Sequence, residues 1–286
     1  MTVTSLGVPR RLVEFALDGR PVRVPERTTL LEACRAAGKE VPALCRAGSL
    51  APTGACRLCV VEVEGADALV AACSREAEPG MRVRTGTERV RHTRRIVLEL
   101  LASSVDLSTT PGVAEWMAEY GARPDRFGPA AARSGGEPVV DAGLFVRDDG
   151  KCLRCGNCVA VCGGQGRGTF AIAVSGRGAD IRVSAEYDAA LTDSACVHCG
   201  DCLDVCPTGA LSSGPEFALR AADAWDEPSQ TVTTTVCGHC GVGCELVLHV
   251  QDNEIVKVTS PHDSPVTHGH LCIKGRFGHQ YIENRD

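Results

Sequence analysis

Large aromatic side chains are scarce in this sequence, which has six phenylalanines, three tyrosines and two tryptophans among 286 residues. The length suits two or three small domains, and each can bury only a modest apolar core. Long apolar runs are also missing, because no stretch approaches the roughly 18 residues that a membrane-spanning helix needs. Arg10 and Arg11 precede a charged segment rather than the apolar region of a secretion signal. We therefore predict a cytoplasmic protein with no transmembrane segment.

The usual signatures of substrate chemistry and of nucleic-acid binding are missing as well. Basic clusters with interleaved aromatic residues are absent, which argues against a nucleic-acid partner. The sequence shows no Ser-His-Asp constellation, no phosphate-cradling loop and no pair of catalytic carboxylates. The glycines of CGGQGRG flank cysteines and do not open a strand–helix dinucleotide site. We therefore expect this polypeptide to turn over no substrate by itself.

Cysteine, in contrast, is abundant, and 16 of the 17 cysteines fall into four regularly spaced sets. In chain order the sets are Cys45, Cys56, Cys59, Cys73; Cys152, Cys155, Cys158, Cys162; Cys196, Cys199, Cys202, Cys206; and Cys237, Cys240, Cys244, Cys272. A disulfide framework does not need repeated C-x2-C spacing, whereas thiolate ligation of iron does. The sequence therefore predicts an iron–sulfur protein of a reducing compartment.

The second and third sets share the spacing C-x2-C-x2-C-x3-C, which is typical of proteins with two [4Fe–4S] clusters. In such runs the fourth cysteine binds the other cluster. We therefore expect one cluster on Cys152, Cys155, Cys158 and Cys206, and the other on Cys196, Cys199, Cys202 and Cys162. Pro207 follows the second run as the pattern predicts, whereas Gly163 takes that place after the first.

The first set has one C-x2-C pair and two single cysteines, so it does not fit a zinc ribbon, which requires two pairs. Its longer loop and the run PTGACRLC resemble the [2Fe–2S] domain at the N-terminus of three kinds of protein. These are the complex I large subunit, iron-only hydrogenases and soluble NAD-linked formate dehydrogenases. The resemblance implies a [2Fe–2S] cluster on this set.

The last set lies in a segment, VCGHCGVGCELVLHV to CIKGRFG, that resembles the opening domain of molybdenum or tungsten bis-molybdopterin enzymes, most closely formate dehydrogenases. The resemblance implies a [4Fe–4S] cluster beside a bis-molybdopterin guanine dinucleotide with Mo or W, which is bound mostly by a part outside this chain. It places Lys274 between the two, where its charge would contact the pterin and help to stabilise an added electron. Since four thiolates already serve the metal, we interpret the histidines of this region as surface or supporting groups: His239, His249, His262, His268 and His270.

Periodicity outlines the elements that carry these sets. Alternating segments at 11–17 and 21–24 predict a hairpin, and a helix over LLEACRAAG follows, capped by Thr28 or Thr29 and stopped by Gly38. Cys34 lies on the inner face of that helix and is most simply a small buried hydrophobe. Further strands are predicted at 58–63, 69–72, 81–84, 231–236, 245–250 and 254–259. TFAIAV and DIRVS predict a hairpin between the two central runs.

Together these features predict an α+β protein of three domains. Residues 1–102 form a β-grasp [2Fe–2S] domain that ends in a helix over 88–101 with Val90, Ile96, Val97 and Leu100 or Leu101 packed. Residues 103–140 are a linker. Residues 141–222 form a bacterial 2x[4Fe–4S] ferredoxin-like domain, and 231–286 form a small β-rich [4Fe–4S] domain of the molybdopterin oxidoreductase type.

In this order the domains resemble the N-terminal third of a formate dehydrogenase alpha subunit, with two departures. Relatives carry an H-x3-C-x2-C-x5-C cluster, but no cysteine lies between Cys73 and Cys152, and we expect Trp116, Met117, Tyr120 and Phe127 to fill its space. The sequence also stops at YIENRD, without the large molybdenum-binding domains. The chain is thus expected to be either a small subunit of a split enzyme or part of a longer one.

The favoured interpretation is an electron-relay subunit of a formate dehydrogenase complex, with one [2Fe–2S] and three [4Fe–4S] clusters. Its partners would be a molybdopterin-binding catalytic subunit or domain and a flavin- or quinone-linked electron acceptor. Two alternatives stay open: a hydrogenase or complex I-type electron-input subunit, and a standalone polyferredoxin. The pair of ferredoxin-type cysteine runs argues against a complex I subunit, and the motif of the last set argues against a hydrogenase subunit.

Overall fold

A computed structural model of the chain describes residues 10–48, 50–128, 136–141 and 143–283. Backbone contacts divide these residues into two compact units. The first unit holds the described residues among 1–46, 52–103 and 112–131, and the second holds those among 47–51, 104–111 and 132–286. Both units combine small sheets with a few helices, so the chain is α+β as the sequence predicts.

The first unit is built on a five-stranded sheet with the strand order β2-β1-β5-β3-β4. Its elements are β1 (Leu12–Leu17), β2 (Arg20–Pro25), α1 (Leu30–Ala36), β3 (Val60–Val63), β4 (Val70–Ala71), β5 (Arg82–Arg84), α2 (Glu88–Ser104) and α3 (Val113–Tyr120). β1 and β2 pair antiparallel around a turn in which Asp18 and Gly19 both have positive φ, and β1 pairs parallel with β5. The predicted hairpin and the three short strands are confirmed.

α1 begins with a capping box, in which the Thr29 hydroxyl accepts from the Glu32 N–H and the Glu32 carboxylate accepts from the Thr29 N–H. Of the two caps that the sequence allowed, the structure uses Thr29. Cys34 lies on the buried face of the helix within the apolar core, as predicted. Burial, with a smaller contribution from the Asp18 carboxylate, raises the pKa of the Cys34 thiol to about 11.

The packed face of α2 differs from the predicted one. Val90 is buried as expected, and Ile96, Val97 and Leu101 are half-buried, whereas Leu100, the other alternative to Leu101, is 49 % exposed. The charged residues Arg94 and Glu99 are each only 2 % exposed. Arg94 donates to the Tyr120 hydroxyl and to the Val60 carbonyl, both at 2.9 Å. Periodicity treats charged residues as solvent-facing, and that fails here because both charged groups find polar partners in other parts of the unit.

The Glu99 carboxylate is satisfied by the segment that follows α2, which also supplies one of the two acceptors of Arg94. The carboxylate accepts from the Arg123 N–H at 3.1 Å and from the Arg126 guanidinium at 2.7 Å. Burial opposes the charge, but these bonds hold the pKa of Glu99 below its ordinary value. Of the four aromatic and methionine side chains predicted to pack here, Tyr120 is buried, whereas Phe127 is 44 % exposed, so the prediction is wrong for Phe127. Hydrogen bonds from Arg94 and Glu99 therefore join the apolar contacts in holding this segment against α2.

We expect Tyr120→Phe to lower the free energy of unfolding of the first unit by about 1–3 kcal/mol, because it leaves a buried Arg94 N–H without its acceptor. Denaturant unfolding followed by far-UV circular dichroism measures the change. Tyr187→Phe is the matched control, since that side chain is 95 % exposed and its replacement should change nothing. Equal effects of the two substitutions would contradict the assigned role of the Tyr120 hydroxyl.

The second unit contains three small sheets, with the strand orders β10-β7-β6, β11-β12-β13 and β8-β9. Its strands are β6 (Val139–Asp141), β7 (Phe145–Arg147), β8 (Ala173–Ser175), β9 (Arg182–Ser184), β10 (Leu211–Ser213), β11 (Thr231–Val236), β12 (Glu245–Gln251) and β13 (Glu254–Thr259). Its helices are α4 (Asn157–Cys162), α5 (Asp201–Asp204), α6 (Gly214–Ala221), α7 (Ile273–Phe277) and α8 (Gln280–Glu283). The predicted hairpin between the central runs is β8–β9, and the three predicted C-terminal strands are confirmed.

None of the helices in the described residues combines the length and the apolar character that crossing a membrane would take.

Candidate iron–sulfur sites

The cysteines of the first set lie at the ends of two paired strands and in the loop before them. Cys59 directly precedes β3 and Cys73 follows β4, and the Ala72 N–H donates to the Cys59 carbonyl at 3.0 Å. All four cysteines of the set are at most 5 % exposed. Strand pairing therefore brings together thiols from three separate stretches of sequence.

These four thiols interact directly with one another. The Cys56 N–H donates to Cys45 Sγ at 3.4 Å. Hydrogen bonds from the Cys56 and Cys73 thiols hold the pKa of Cys45 below its ordinary value, and a bond from the Cys73 thiol lowers the pKa of Cys59 to about 7. The same bonds, together with burial, raise the pKa of the Cys56 and Cys73 thiols. Two thiols of the set thus favour the thiolate form in which cysteine binds iron, and the other two act as their hydrogen-bond donors.

Replacing Cys34, a buried cysteine outside the first set, is the matched control for replacing a cysteine within it. We expect Cys34→Ala to keep the full [2Fe–2S] absorption of the first unit, because the thiol belongs to the apolar core, at a cost of about 1–2 kcal/mol in unfolding free energy. Cys59→Ala should abolish that absorption. The iron content of the first unit, measured in the full chain, checks both expectations, and loss of iron in Cys34→Ala would show that a ligand has been misidentified.

The second and third sets line two neighbouring cavities in the second unit. The first cavity has about 430 Å³ of empty space, and the cysteines in its wall are Cys152, Cys155, Cys158 and Cys206. The second cavity has about 550 Å³, and the cysteines in its wall are Cys162, Cys196, Cys199 and Cys202. Each cavity thus combines three cysteines of one run with the fourth of the other. Three residues line both cavities: Val183, Leu211 and Arg147.

The two runs repeat the same backbone conformation around their first three cysteines. Arg154 and Gly156 have positive φ in the first run, as His198 and Gly200 do in the second. This conformation turns main-chain N–H groups toward sulfur: the His198 N–H donates to Cys196 Sγ at 3.4 Å, and the Arg154 N–H bonds to Cys152 in the same way. Such bonds stabilise negative charge on sulfur and tune a bound cluster.

Burial alone opposes ionisation of these central thiols. It raises the pKa of Cys158 and that of Cys202, with smaller contributions from neighbouring cysteines. A buried thiolate therefore needs a cation beside it, and iron in a cluster supplies one. The donor set and the apolar walls both fit a [4Fe–4S] cluster, since sulfur is the ligand that such iron prefers.

The fourth set joins a hairpin loop to a distant helix. Cys237 follows β11 and Cys244 precedes β12, and the Cys237 N–H donates to the Cys244 carbonyl at 2.8 Å. Cys272 is the residue before α7. Burial raises the pKa of Cys244, and the charges of the other three cysteines add to this, so all four lie within electrostatic reach. Cys240 and Cys272 are exposed, as is Lys274 on α7.

Across the described residues, no three Cys, His, Asp or Glu side chains converge closely enough to hold a single metal ion. The cysteines of the second and third sets line cavities instead. Two of the histidines near the last set have polar partners: His249 contacts the Thr259 hydroxyl at 3.0 Å and His270 contacts Asp201 at 2.9 Å. The supporting role of these histidines stays a prediction.

Sequence reasoning missed Asp201 and Arg276, which are 2 % and 3 % exposed and lie next to cysteines of the third and fourth sets. The Arg276 Nη2 atom lies 3.3 Å from Asp201 Oδ1 and 2.6 Å from Asp204 Oδ2. The signal available in the sequence was the difference between CGNC in the first run and CGDC in the second.

Comparison with known proteins assigns a domain type to each stretch. Residues 10–88 match the 2Fe-2S iron-sulfur cluster binding domain, and 151–211 match the 4Fe-4S dicluster domain. Residues 230–284 match the molybdopterin oxidoreductase Fe4S4 domain. The described cysteine sets fall inside these three matches.

Relatives of known name align with nearly the whole chain. The alpha subunit of an NADPH-Fe(3+) oxidoreductase from Geobacter sulfurreducens is 33 % identical over 96 % of this chain and 32 % of its own length. A G-type subunit of an NADH-quinone oxidoreductase from Rhizobium meliloti is 30 % identical over 96 % and 32 %. The mitochondrial NADH dehydrogenase [ubiquinone] iron-sulfur protein 1 of Solanum tuberosum is 28 % identical over 94 % and 36 %. The chain therefore spans about a third of the length of these relatives.

A solved structure shares the fold of much of the chain. An NAD+-reducing [NiFe]-hydrogenase in the H2-reduced state contains a chain that is 28 % identical, with a TM-score of 0.58 over 70 % of this chain and 87 % of that one. The chain thus carries 2Fe-2S and 4Fe-4S iron–sulfur domains and is homologous to the G-type subunits of NADH-quinone oxidoreductases.

Proposed function

We propose that this chain is the electron-input iron–sulfur part of an oxidoreductase complex of the complex I or hydrogenase type. The observation that carries the proposal is the extent of the alignments: relatives named as NADPH- or NADH-linked oxidoreductase subunits match 94–96 % of the chain. These alignments take in both central runs and most of the last domain. The expectation that the ferredoxin pair argues against complex I is therefore not supported.

The chain would hold one [2Fe–2S] cluster on Cys45, Cys56, Cys59 and Cys73, and two [4Fe–4S] clusters in the first and second cavities. A third [4Fe–4S] cluster would lie on Cys237, Cys240, Cys244 and Cys272. When bound, such clusters accept and donate single electrons. The crossed arrangement of cysteines in the two cavities supports the predicted exchange of the fourth ligand between the central runs.

The protein's own residues would set the conditions for that chemistry. Val183 and Leu211 line both cavities with apolar surface, which would lower the local dielectric, and Arg147, which also lines both, would place a positive charge near the two clusters. Main-chain N–H groups, such as that of Leu211 at 3.4 Å from Cys206 Sγ, stabilise the charge on sulfur. Thr169 contacts Cys162 Sγ at 3.3 Å. These contacts are the means by which the chain would tune each potential.

Partners of the proposed complex follow from the names of the relatives. NADH and NADPH occur in those names as one substrate, and quinone and Fe(3+) as the other. We therefore infer a partner subunit that oxidises a reduced nicotinamide dinucleotide, together with a flavin- or quinone-linked partner. The finer fold assignments (β-grasp, bacterial ferredoxin-like and molybdopterin oxidoreductase type) and the boundaries 1–102, 103–140, 141–222 and 231–286 are part of this proposal.

A second candidate, the formate dehydrogenase complex, is favoured by one observation. Residues 230–284 match the molybdopterin oxidoreductase Fe4S4 domain, and Lys274 is exposed on the helix directly after Cys272, where a pterin cofactor could reach it. None of the relatives described above is a formate dehydrogenase. This candidate thus depends on the last domain alone, whereas the first depends on nearly the whole chain.

Anaerobic purification of the native complex separates the two candidates. The proposal expects NADH or NADPH to bleach the cluster absorption within seconds and a nicotinamide-oxidising subunit to co-purify. Reduction by formate with a co-purifying molybdopterin protein, and no response to either nicotinamide, would overturn the proposal in favour of the second candidate. Isolation of the chain alone, reducible only by dithionite, would instead support a standalone polyferredoxin.

A further inference from the structure

A single buried carboxylate connects the loop of the third cysteine set to the segment that carries Cys272. Asp201 begins α5, two residues after Cys199. Its Oδ2 atom accepts from Arg167 Nε at 2.7 Å and faces His270 Nδ1 at 2.9 Å. Its Oδ1 atom accepts from the main-chain N–H of Leu271 at 3.3 Å. One side chain therefore contacts both residues that precede Cys272.

Arg276 makes the reciprocal connection from α7. Its Nε–H donates to the carbonyl of Cys199 at 2.9 Å, and its Nη1 donates to the carbonyl of Val258 on β13 at 2.9 Å. Its Nη2 pairs with Asp204 and with Asp201. The Arg276 guanidinium therefore contacts the main-chain carbonyl of Cys199, a predicted iron ligand. Arg276 itself belongs to α7, the helix that directly follows Cys272, another predicted ligand.

Gly200 allows this close approach. A methyl group at Gly200 would lie 2.3 Å from Arg276 Cδ and 3.1 Å from Phe277 Cζ, so a side chain there would push α7 away. The matching glycine of the first run, Gly156, has nearly the same φ, +79° against +73°, and no described atom lies within 4 Å of the same methyl position. The two glycines share their conformation, and only Gly200 is packed against.

The two runs differ at the next position as well. Asn157 of the first run is buried and donates from its amide to the Val205 carbonyl at 3.3 Å. Asp201 of the second run instead faces Arg167, His270 and Arg276. A carboxylate is required where three cationic or protonatable groups converge in a buried site, whereas an amide suffices where one carbonyl is the partner.

We propose that Asp201 and Arg276 are positioning residues that lock the Cys272 segment onto the Cys199 loop and so set the separation of the third and fourth cysteine sets. The effect of these residues on electron transfer rests on the proposed function, because the separation influences electron transfer only if clusters are bound to these cysteines. The lock itself is a property of the polypeptide.

The test compares Gly200→Ala with Gly156→Ala in the full holoprotein. Both carry the same conformational strain, so the difference between them isolates contact with α7. We expect Gly200→Ala to accelerate amide hydrogen exchange over 271–277 by about tenfold, with β1 and β3 unchanged, and Gly156→Ala to leave 271–277 at the native rate. The magnetic interaction between the reduced clusters of the two sets, read by electron paramagnetic resonance, should weaken only in Gly200→Ala, at unchanged iron content.

A second pair keeps the test decisive if Gly200→Ala does not fold. Asp201→Asn removes the charge and retains the shape, and Asp106→Asn, which removes a carboxylate paired with Lys151 at 2.6 Å in the same unit, is its control. Equal exchange over 271–277 and equal magnetic interaction in Asp201→Asn, Asp106→Asn and the native protein would overturn the lock. Failure of NADH and NADPH to reduce the complex would refute the proposed function and leave the exchange result standing.

Discussion

Replacing Cys206 by alanine is expected to remove the same cluster that is removed by replacing Cys155, although about 50 residues separate the two. Both thiols lie in the wall of the first cavity. Each variant should lose up to about four iron atoms and the paramagnetic signal of one [4Fe–4S] cluster, while the other signals persist. Cys162→Ala should in turn match Cys199→Ala, because those thiols line the second cavity. Iron analysis with Mössbauer and electron paramagnetic resonance spectra of the four variants measures this.

Comparing the four variants is more informative than any single substitution. Every ligand variant loses iron, so only the identity of the lost cluster signal shows which cysteines share a cluster. The crossed arrangement requires that variants pair across the two runs and not within them. Should Cys206→Ala lose the same signal as Cys199→Ala, each run would hold its own cluster, and the assignment of both cavities would be wrong. Cys34→Ala is the control, as it removes a buried thiol that lies in neither cavity.

Arg276→Met should be the most destabilising single substitution of a charged residue in the second unit. It removes the guanidinium that pairs with the half-buried Asp204 carboxylate, and it leaves the buried Asp201 carboxylate with Arg167 and His270 only. Removal of one partner from a buried ion pair lowers the free energy of unfolding by about 3–5 kcal/mol. Burial already raises the pKa of Asp204, with the Arg276 charge opposing that shift, so the variant should take up a proton at this site.

Anaerobic denaturant unfolding, followed by circular dichroism and by cluster absorption, measures this loss. Arg182→Met is the matched control, because Arg182 pairs with Asp188 at the surface and its removal should leave the unfolding midpoint unchanged. A midpoint for Arg276→Met that coincides with the control would show that the network contributes nothing to stability.

Local structure in this chain could be predicted from the sequence wherever short-range chemistry determines it. The β1–β2 hairpin follows from alternation and an Asp-Gly turn, and the start of α1 follows from Thr29 and Glu32 three residues apart. The packed face of α2 was predicted poorly, because Arg94 and Glu99 are buried by partners 24–27 residues further along the chain. Periodicity carries no information about such partners.

The candidate sites show the same division. For the two central runs, cysteine spacing predicts which thiols share a cluster, because in this pattern the fourth cysteine binds the other cluster. The cluster types of the first and last sets are implied by resemblance, and all four ligand sets stay a prediction here. The contacts of Asp201 with Leu271 and Arg276 join residues 70–75 positions apart. A single sequence contains no signal for that pairing except one difference between the two runs. Asn157 in the first run corresponds to Asp201 in the second, and the sequence alone gives no reason for this.

The difference between Asn157 and Asp201 also means that the two cysteine runs are not interchangeable. The two runs share spacing, backbone conformation and ligand chemistry, so on those grounds they could trade places. Only the second run carries the carboxylate, Asp201, that bonds to Arg276 on α7. A chimera with two copies of the first run would keep every cysteine ligand but lose the bond that holds α7. The two runs are therefore equivalent as iron-binding loops, and only the second attaches α7.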